Sequence, residues 1–275
     1  METPRSEPPT APQATTHDAD LALLIEAVRD AGALALSYFG QGPEARLKPD
    51  GTQVSDADLA VDAELKSRLT GARPAYGWLS EETADDGRRL ETPRVWIVDP
   101  IDGTRAFLKE HPEWTVAAAL VEHGQPVLAA VYNPPKDEFF WAARGAGAHL
   151  NDRRIHVSDR SELAGCRLFA ARNLFRRDIW QEPWPEVETV WVNSIAYRLA
   201  LVAAGRGEGT LSLSRKSDWD LAAADLLVHE AGGIVTTRAG EALTYNRPRP
   251  EHDSVVAAGP LLHPAVIERT RSARP

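Results

Sequence analysis

The chain has 275 residues, 43% of them hydrophobic and 26% charged, enough to bury a substantial core in one large domain or two of ordinary size. A formal net charge of −9 at pH 7 argues against a nucleic-acid polymer or an anionic membrane as the main partner, and no apolar stretch reaches the length of a membrane span. A small phosphate ester stays open, because one bound cation inverts the local field. The single cysteine, Cys166, excludes an intramolecular disulfide and any cysteine-rich zinc site, and it fits a cytosolic protein.

Residues 1–18 are rich in Pro, Thr and acid with no apolar run, and read as a disordered leader. Leu21, Leu24, Ile25, Val28, Gly32, Ala35 and Phe39 recur at helical spacing, which predicts an amphipathic helix ending near Gly40. After the polar loop Lys48-Pro49-Asp50-Gly51-Thr52, a second helix is expected to start beyond Ser55, with Leu59, Val61, Leu65 and Leu69 on its apolar side. Val95–Val98 reads as a buried strand. Thr115–Val121, Val127–Tyr132 and Glu138–Ala142, with turn residues between them, predict an antiparallel meander. Beyond residue 150 the pattern alternates. Strands are expected at Arg167–Ala171, Val190–Val192, Thr210–Leu213, Ile234–Thr237 and Ser254–Ala258, with helices at Ser194–Ala204 and Leu221–Ala231. The stretch Asp178–Glu188 suggests no element. These elements predict a mixed α and β protein with an N-terminal part, residues 19–150, and a C-terminal part, residues 151–275.

Acidic residues stand where solvated surface explains them poorly. Asp99 follows four apolar residues at the end of the buried strand, and Asp102 comes three residues later, before Gly103-Thr104. Two carboxylates crowded at a strand end repel each other unless a cation lies between them. Mg²⁺ prefers oxygen ligands, and a pair of ions can activate water on one side and hold the leaving oxygen on the other. Taken alone, the pair reads more readily as a strand closed by an Asx-type turn. Glu81-Glu82 likewise reads alone as a solvated loop, and Asp218 and Asp220 as first-turn charges at a helix start.

The three segments together resemble the inositol monophosphatase-like, lithium-sensitive phosphatases. The resemblance rests on Leu79-Ser80-Glu81-Glu82, on Trp96-Ile-Val-Asp-Pro-Ile-Asp-Gly-Thr104, and on Trp219-Asp220-Leu-Ala-Ala-Ala224 with Glu230-Ala-Gly-Gly233, in that order from about residue 20 to the end. It implies a layered α-β-α-β-α sandwich, a homodimer, two or three Mg²⁺ ions and inhibition by Li⁺. It also implies residue roles. Glu81, Asp99 and the Ile101 carbonyl would hold the first metal; Asp99, Asp102 and Asp220 the second. Thr104 with Glu81 would orient the attacking water, and the N–H groups of Gly103 and Thr104 would hold the phosphate. Asp58 would support a third ion through water, although Ser55 with Asp58 also matches a capping box. Lys48–Thr52 aligns with a mobile loop over the active site.

Departures from the family pattern lie on the substrate side. Leu213 stands where inositol-preferring members carry a glutamate, and Ser214-Arg215-Lys216-Ser217 where the nucleotidase branch carries Gly-Pro-Thr. Asn193-Ser194 replaces Gly-Ser/Thr, so Ser194 is expected to cap a helix and to face substrate hydroxyls along with Asp102 and Asp220. Arg215 and Lys216 would meet a second phosphate or lie in a solvated turn. The expected activity is hydrolysis of a small polyol or sugar-like phosphate. The alternatives are a 3′(2′),5′-bisphosphate nucleotidase, a histidinol-phosphate phosphatase and a catalytically silent binding protein.

Overall fold

Two amphipathic helices open the described chain, residues 16–48 and 51–273 of this computed structural model. Helix α1 (Thr16–Tyr38) buries Leu24, Ala27, Val28, Ala31 and Ala35. Helix α2 (Asp56–Ala72) buries Ala57, Val61, Leu65 and Leu69, so each turns one apolar face to a core. The antiparallel ribbon of β1 (Ala45–Leu47) and β2 (Gln53–Ser55) joins them. Because α1 begins at Thr16, residues 16–18 belong to a helix and not to the expected leader. Residues 1–15, and Pro49 and Asp50 of the polar loop, lie outside the described residues.

A seven-stranded sheet follows in chain order: β3 (Gly77–Ser80), β4 (Arg94–Asp102), β5 (Thr115–Glu122), β6 (Gln125–Asn133), β7 (Glu138–Ala143), β8 (Gly147–Leu150) and β9 (Arg153–Ile155). Strands β3 and β4 run parallel and every later pair antiparallel, the expected meander. Strand β4 is continuously apolar over Val95–Val98 because both faces of that stretch are covered. Trp96 and Val98 pack with α1 and α2, while Val95 and Ile97 pack toward α4 (Ile195–Ala203) and α5 (Asp218–Glu230). Between these, the short α3 (Thr104–Leu108) leaves the end of β4.

The second sheet has five strands in the order β11 (Glu188–Val190), β10 (Arg167–Phe169), β12 (Gly209–Ser212), β16 (Val255–Ala258) and β14 (Ile234–Thr236). A ribbon of β13 (Lys216–Ser217) and β15 (Glu251–His252) lies beside it. Val235, Val255 and Ala257 join the α4–α5 core, whereas Leu168, Leu211 and Val256 face α6 (His263–Arg271). The layers are therefore α1/α2, seven strands, α4/α5, five strands and α6, the α-β-α-β-α sandwich. Two expectations change. Strands β8 and β9 pair across the 150/151 boundary, and α5 shares its core with the first sheet, so the two parts fold around common apolar surface. Helix α6 has no counterpart in the sequence reading. Asp178–Glu188 holds no element before β11, and its Trp180 and Trp184 pack edge to face 5.2 Å apart.

Candidate active site

Residues three apart on a regular strand point to opposite faces. Asp99 opposes Ala117 and Asp102 opposes Thr115, so β4 holds one more residue than β5 between those pairs. This bulge turns both carboxylates to one side. Gly103 then adopts φ 102°, and a Cβ there would stand 3.1 Å from the Glu113 carbonyl oxygen and 3.3 Å from the Trp114 Cα. Glycine alone fits this turn, and the chain enters α3 at Thr104.

Asp220 arrives from the other half of the molecule, in the first turn of α5. Its carboxylate accepts the Ser217 N–H at 2.6 Å in a capping box, and an oxygen from each of Asp99, Asp102 and Asp220 lies within 4.8 Å of the others. Burial is the main cause that pushes Asp102 up to about 6 and Asp220 up to about 7. Asp99, 1% exposed, is raised well above the carboxylate range by burial and then by the charges of Glu81, Asp102, Asp220 and Asp58. Its Oδ1 is buried with no hydrogen-bond partner. A buried, unpartnered carboxylate oxygen between two further carboxylates fits a hard divalent cation, which prefers such oxygens.

Glu81 follows β3 beside this group, its N–H directed at the Val98 carbonyl at 3.4 Å. Its Oε1 accepts from Lys48 Nζ at 2.9 Å, and the same ammonium reaches Glu82 at 2.7 Å. Burial works against the Lys48 charge, but the two glutamates more than offset it and raise its pKa. Asp58 forms the expected capping box with Ser55. Its Oδ2 accepts both the N–H and the hydroxyl of Ser55, at 2.8 and 2.6 Å. Its Oδ1 remains for Thr104, whose hydroxyl lies 3.1 Å away and 3.2 Å from the Ile101 carbonyl. Thr104 therefore engages Asp58, a contact the sequence reading did not include.

A family model described as the inositol monophosphatase family matches residues 17–274. The chain belongs to that family. It is 34% identical to an inositol-1-monophosphatase of Mesorhizobium japonicum, over 91% of this chain and 96% of that one. It is 36% identical to a histidinol-phosphatase of Mycobacterium tuberculosis, over 92% and 98%. Among solved structures it superposes on the suhB protein of Bartonella henselae with TM-score 0.78 and 30% identity, covering 92% and 98%. An IMPase of Thermotoga maritima gives TM-score 0.80 at 26% identity, over 92% and 96%. This inositol monophosphatase family member is a phosphoric monoester hydrolase acting on small phosphate esters.

Beside the acidic cluster of this family member lies a cavity of about 400 Å³ with Asp102 and Asp220 on its wall. Leu213 and Lys216 line it, with Arg105, Arg177, Arg198 and Trp191. Ser194 does not: it is fully buried, so it cannot face substrate hydroxyls as expected, and Asn193 lines the cavity in its place. Ser194 instead caps α4 by accepting the Tyr197 N–H at 2.9 Å and donates to Asp102 at 2.6 Å. Arg215 pairs with Glu251 at 3.4 Å, which is the solvated-turn alternative, while Lys216 donates to Ser214 Oγ at 2.9 Å. Arg198 escaped the sequence reading. It sits in an otherwise apolar helix, donates to the Val192 carbonyl at 2.6 Å, and its charge favours the ionised form of Asp102. A lone arginine among Ile195, Ala196, Leu199 and Ala200 was the signal for it.

Proposed function

We propose that the chain is a Mg²⁺-dependent phosphatase of small polyol or sugar-like phosphates, working by direct attack of water. The observation behind this reading is the buried, unpartnered oxygen of Asp99 between Asp102 and Asp220. Glu81, Asp99, the Ile101 carbonyl, Asp102 and Asp220 would hold two ions, and Asp58 would support a third through water. When bound, Mg²⁺ neutralises charge on the phosphoryl oxygens and acidifies the attacking water. The chain's own residues do the rest. Thr104 donates its proton to Asp58, so the lone pairs of its hydroxyl are left to accept from the attacking water and aim it. Glu81 receives the second hydrogen bond of that water. The N–H groups at Gly103 and Thr104, in the first turn of α3, have no intrahelical acceptor and meet the phosphate. The cavity beside Asp102 and Asp220 takes the leaving alcohol.

A second reading, a 3′(2′),5′-bisphosphate nucleotidase, is favoured by the four cationic residues Arg105, Arg177, Arg198 and Lys216 that line the same cavity. Histidinol phosphate is a third substrate to test, given the similarity to a histidinol-phosphatase. Phosphate release from inositol 1-phosphate, 3′-phosphoadenosine 5′-phosphate and histidinol phosphate, each with Mg²⁺, separates them by kcat/KM. Preference for the bisphosphate would replace the leading reading, and no turnover of any ester would leave a silent binding protein. The family resemblance further supports a cytosolic homodimer inhibited by millimolar-range Li⁺, checked by light scattering and by Li⁺ titration of the same assay.

A further inference from the structure

Asp218 is fully buried two residues before Asp220, although the start of α5 is capped by Ser217. Its carboxylate is engaged elsewhere. Oδ1 lies 3.0 Å from His252 Nε2, and Oδ2 accepts the N–H of Asn246 at 2.7 Å. Asn246 in turn accepts from Arg89 Nη1 at 2.7 Å through its own Oδ1 and donates through Nδ2 to the Arg89 carbonyl at 3.3 Å. Arg89 is 1% exposed, forks onto Asp85 at 2.8 and 3.0 Å, and also donates to the Arg247 carbonyl at 3.1 Å. It belongs to a 3-10 turn, Arg88–Glu91, that packs closely on the first residue of β3: a Cβ at Gly77 would stand 3.0 Å from the Arg89 Cα. Strand β3 ends at Ser80, next to Glu81.

The chain of contacts thus runs from the strand that presents Glu81 to the helix that presents Asp220, through residues distant in sequence. Asp99 and Asp102 are fixed to each other by the β4 bulge, whereas Glu81 and Asp220 stand on separate elements that share the apolar core of Leu79, Ile97 and Leu221, and the chain of contacts adds directional bonds to that packing. Arg89 is buried although Asp85 is exposed, and a buried guanidinium needs its donors met, so Asp85, Asn246 and the Arg247 carbonyl together hold it in one position. We propose that Arg89, Asn246 and Asp218 form a clasp that sets the separation of Glu81 and Asp220, making all three positioning residues for cation binding. The proposal rests on the metal reading of the acidic cluster.

Mn²⁺ titration followed by EPR, with melting of the metal-free protein in parallel, tests it on three variants. Asn246→Gly removes both contacts to Arg89 but keeps the left-handed backbone (φ 55°) and the N–H to Asp218. Arg89→Lys keeps the buried charge and loses the fork. Asp218→Asn retains an acceptor for the Asn246 N–H and serves as the conservative rescue. The first two are expected to bind Mn²⁺ about tenfold more weakly, the usual scale for outer residues that orient ligands. The Mg²⁺ concentration for half-maximal phosphate release should rise in parallel, with kcat at saturating Mg²⁺ little changed. Asp218→Asn should stay close to the parent protein. A purely structural clasp would lower Tm and leave the Mn²⁺ affinity of folded Asn246→Gly and Arg89→Lys unchanged, which overturns the proposal. Failure of both variants to fold overturns it as well. An Asp99→Asn protein that binds Mn²⁺ like the parent would fail the metal reading itself, a result distinct from either.

Discussion

Ser194 Oγ lies 2.6 Å from Asp102 Oδ2, so the residue that opens a helix in the second half holds a carboxylate at the end of a strand in the first. The same oxygen accepts the Ala196 N–H at 2.6 Å, and the Ser194 hydroxyl accepts the Tyr197 N–H. One hydroxyl therefore donates to the carboxylate and accepts from the helix, the two roles a serine can fill together. Asp102 also faces the positive end of α4, which favours its anion. Burial prevails nonetheless and raises it to about 6, so below that pH Asp102 holds its proton unless a cation displaces it.

Ser194→Ala removes a helix cap and a carboxylate donor at once. The lost cap alone costs about 1–2 kcal/mol, so the Tm should fall by several degrees. With one donor gone, the anion of Asp102 is less favoured and the Mg²⁺ requirement for phosphate release should rise. Thermal melts and a Mg²⁺ titration read the two effects separately. A variant unchanged in both would make the Ser194–Asp102 contact idle.

The parts of the site legible in the sequence were those written in consecutive residues. Val95–Val98 announced a buried strand by its continuous apolar run, and Asp99, Asp102 and Gly103 announced a turn loaded with charge. Whether Asp99 and Asp102 share a face was not legible, because it depends on a one-residue bulge that side-chain alternation alone would deny. The direction of Ser194 was not legible either: the cap was, but the partner of its proton is set by tertiary approach of α4 to β4. Asp218 illustrates the same limit. A first-turn acid reads as dipole complement, and only the arrival of His252 and Asn246 from later in the chain shows it buried and fully engaged. Helix α6 was missed because polar Arg269, Thr270 and Arg271 surround its few apolar contacts, Val266 and Ile267.

Asp99→Asn tests the centre of the acidic cluster. The amide keeps the volume and removes the charge that Glu81, Asp102 and Asp220 oppose. Phosphate release should fall by more than about a hundredfold, beyond the range for residues outside the ligand set. The metal-free Tm should hold or rise, because a buried like-charge contact disappears. An active variant, or one that loses activity only by unfolding, contradicts the assignment.

Gly103→Ala tests the turn. A left-handed backbone costs a non-glycine residue about 1–2 kcal/mol, and the new methyl would press on the Glu113 carbonyl at 3.1 Å. The turn can relieve this only by shifting Thr104 and its hydroxyl. Displacement of a positioned group on this scale lowers kcat by about a hundredfold. The Mn²⁺ affinity should change much less, since Asp99 and Asp220 are anchored elsewhere. Equal losses in binding and turnover would place Gly103 in the metal site and not in water or phosphate placement.

The pH dependence follows from the raised carboxyl groups, and its sign is opposite to that of a salt-bridged acid. In the metal-free protein Asp102 titrates near 6 and Asp220 near 7, whereas unfolded aspartates titrate at about 3.9. Between those values the folded state binds more protons than the unfolded one, so stability falls as pH rises. The contribution is fully present only below about pH 4 and is lost as pH passes through the folded values, near 6 and 7. Divalent cations reverse the trend, because they compete with those protons and bind better once the carboxylates are free. Metal-free Tm should therefore drop from about pH 5 to about pH 8, and the rise in Tm on adding Mg²⁺ should grow over the same range. The Mg²⁺ concentration for half-maximal activity should fall in step. Melting in chelator and in excess Mg²⁺ across that range checks all three, and Asp99→Asn should flatten the Mg²⁺ effect. A metal-free Tm that climbs with pH would show that these acids are already ionised without a cation, contrary to the burial that surrounds them.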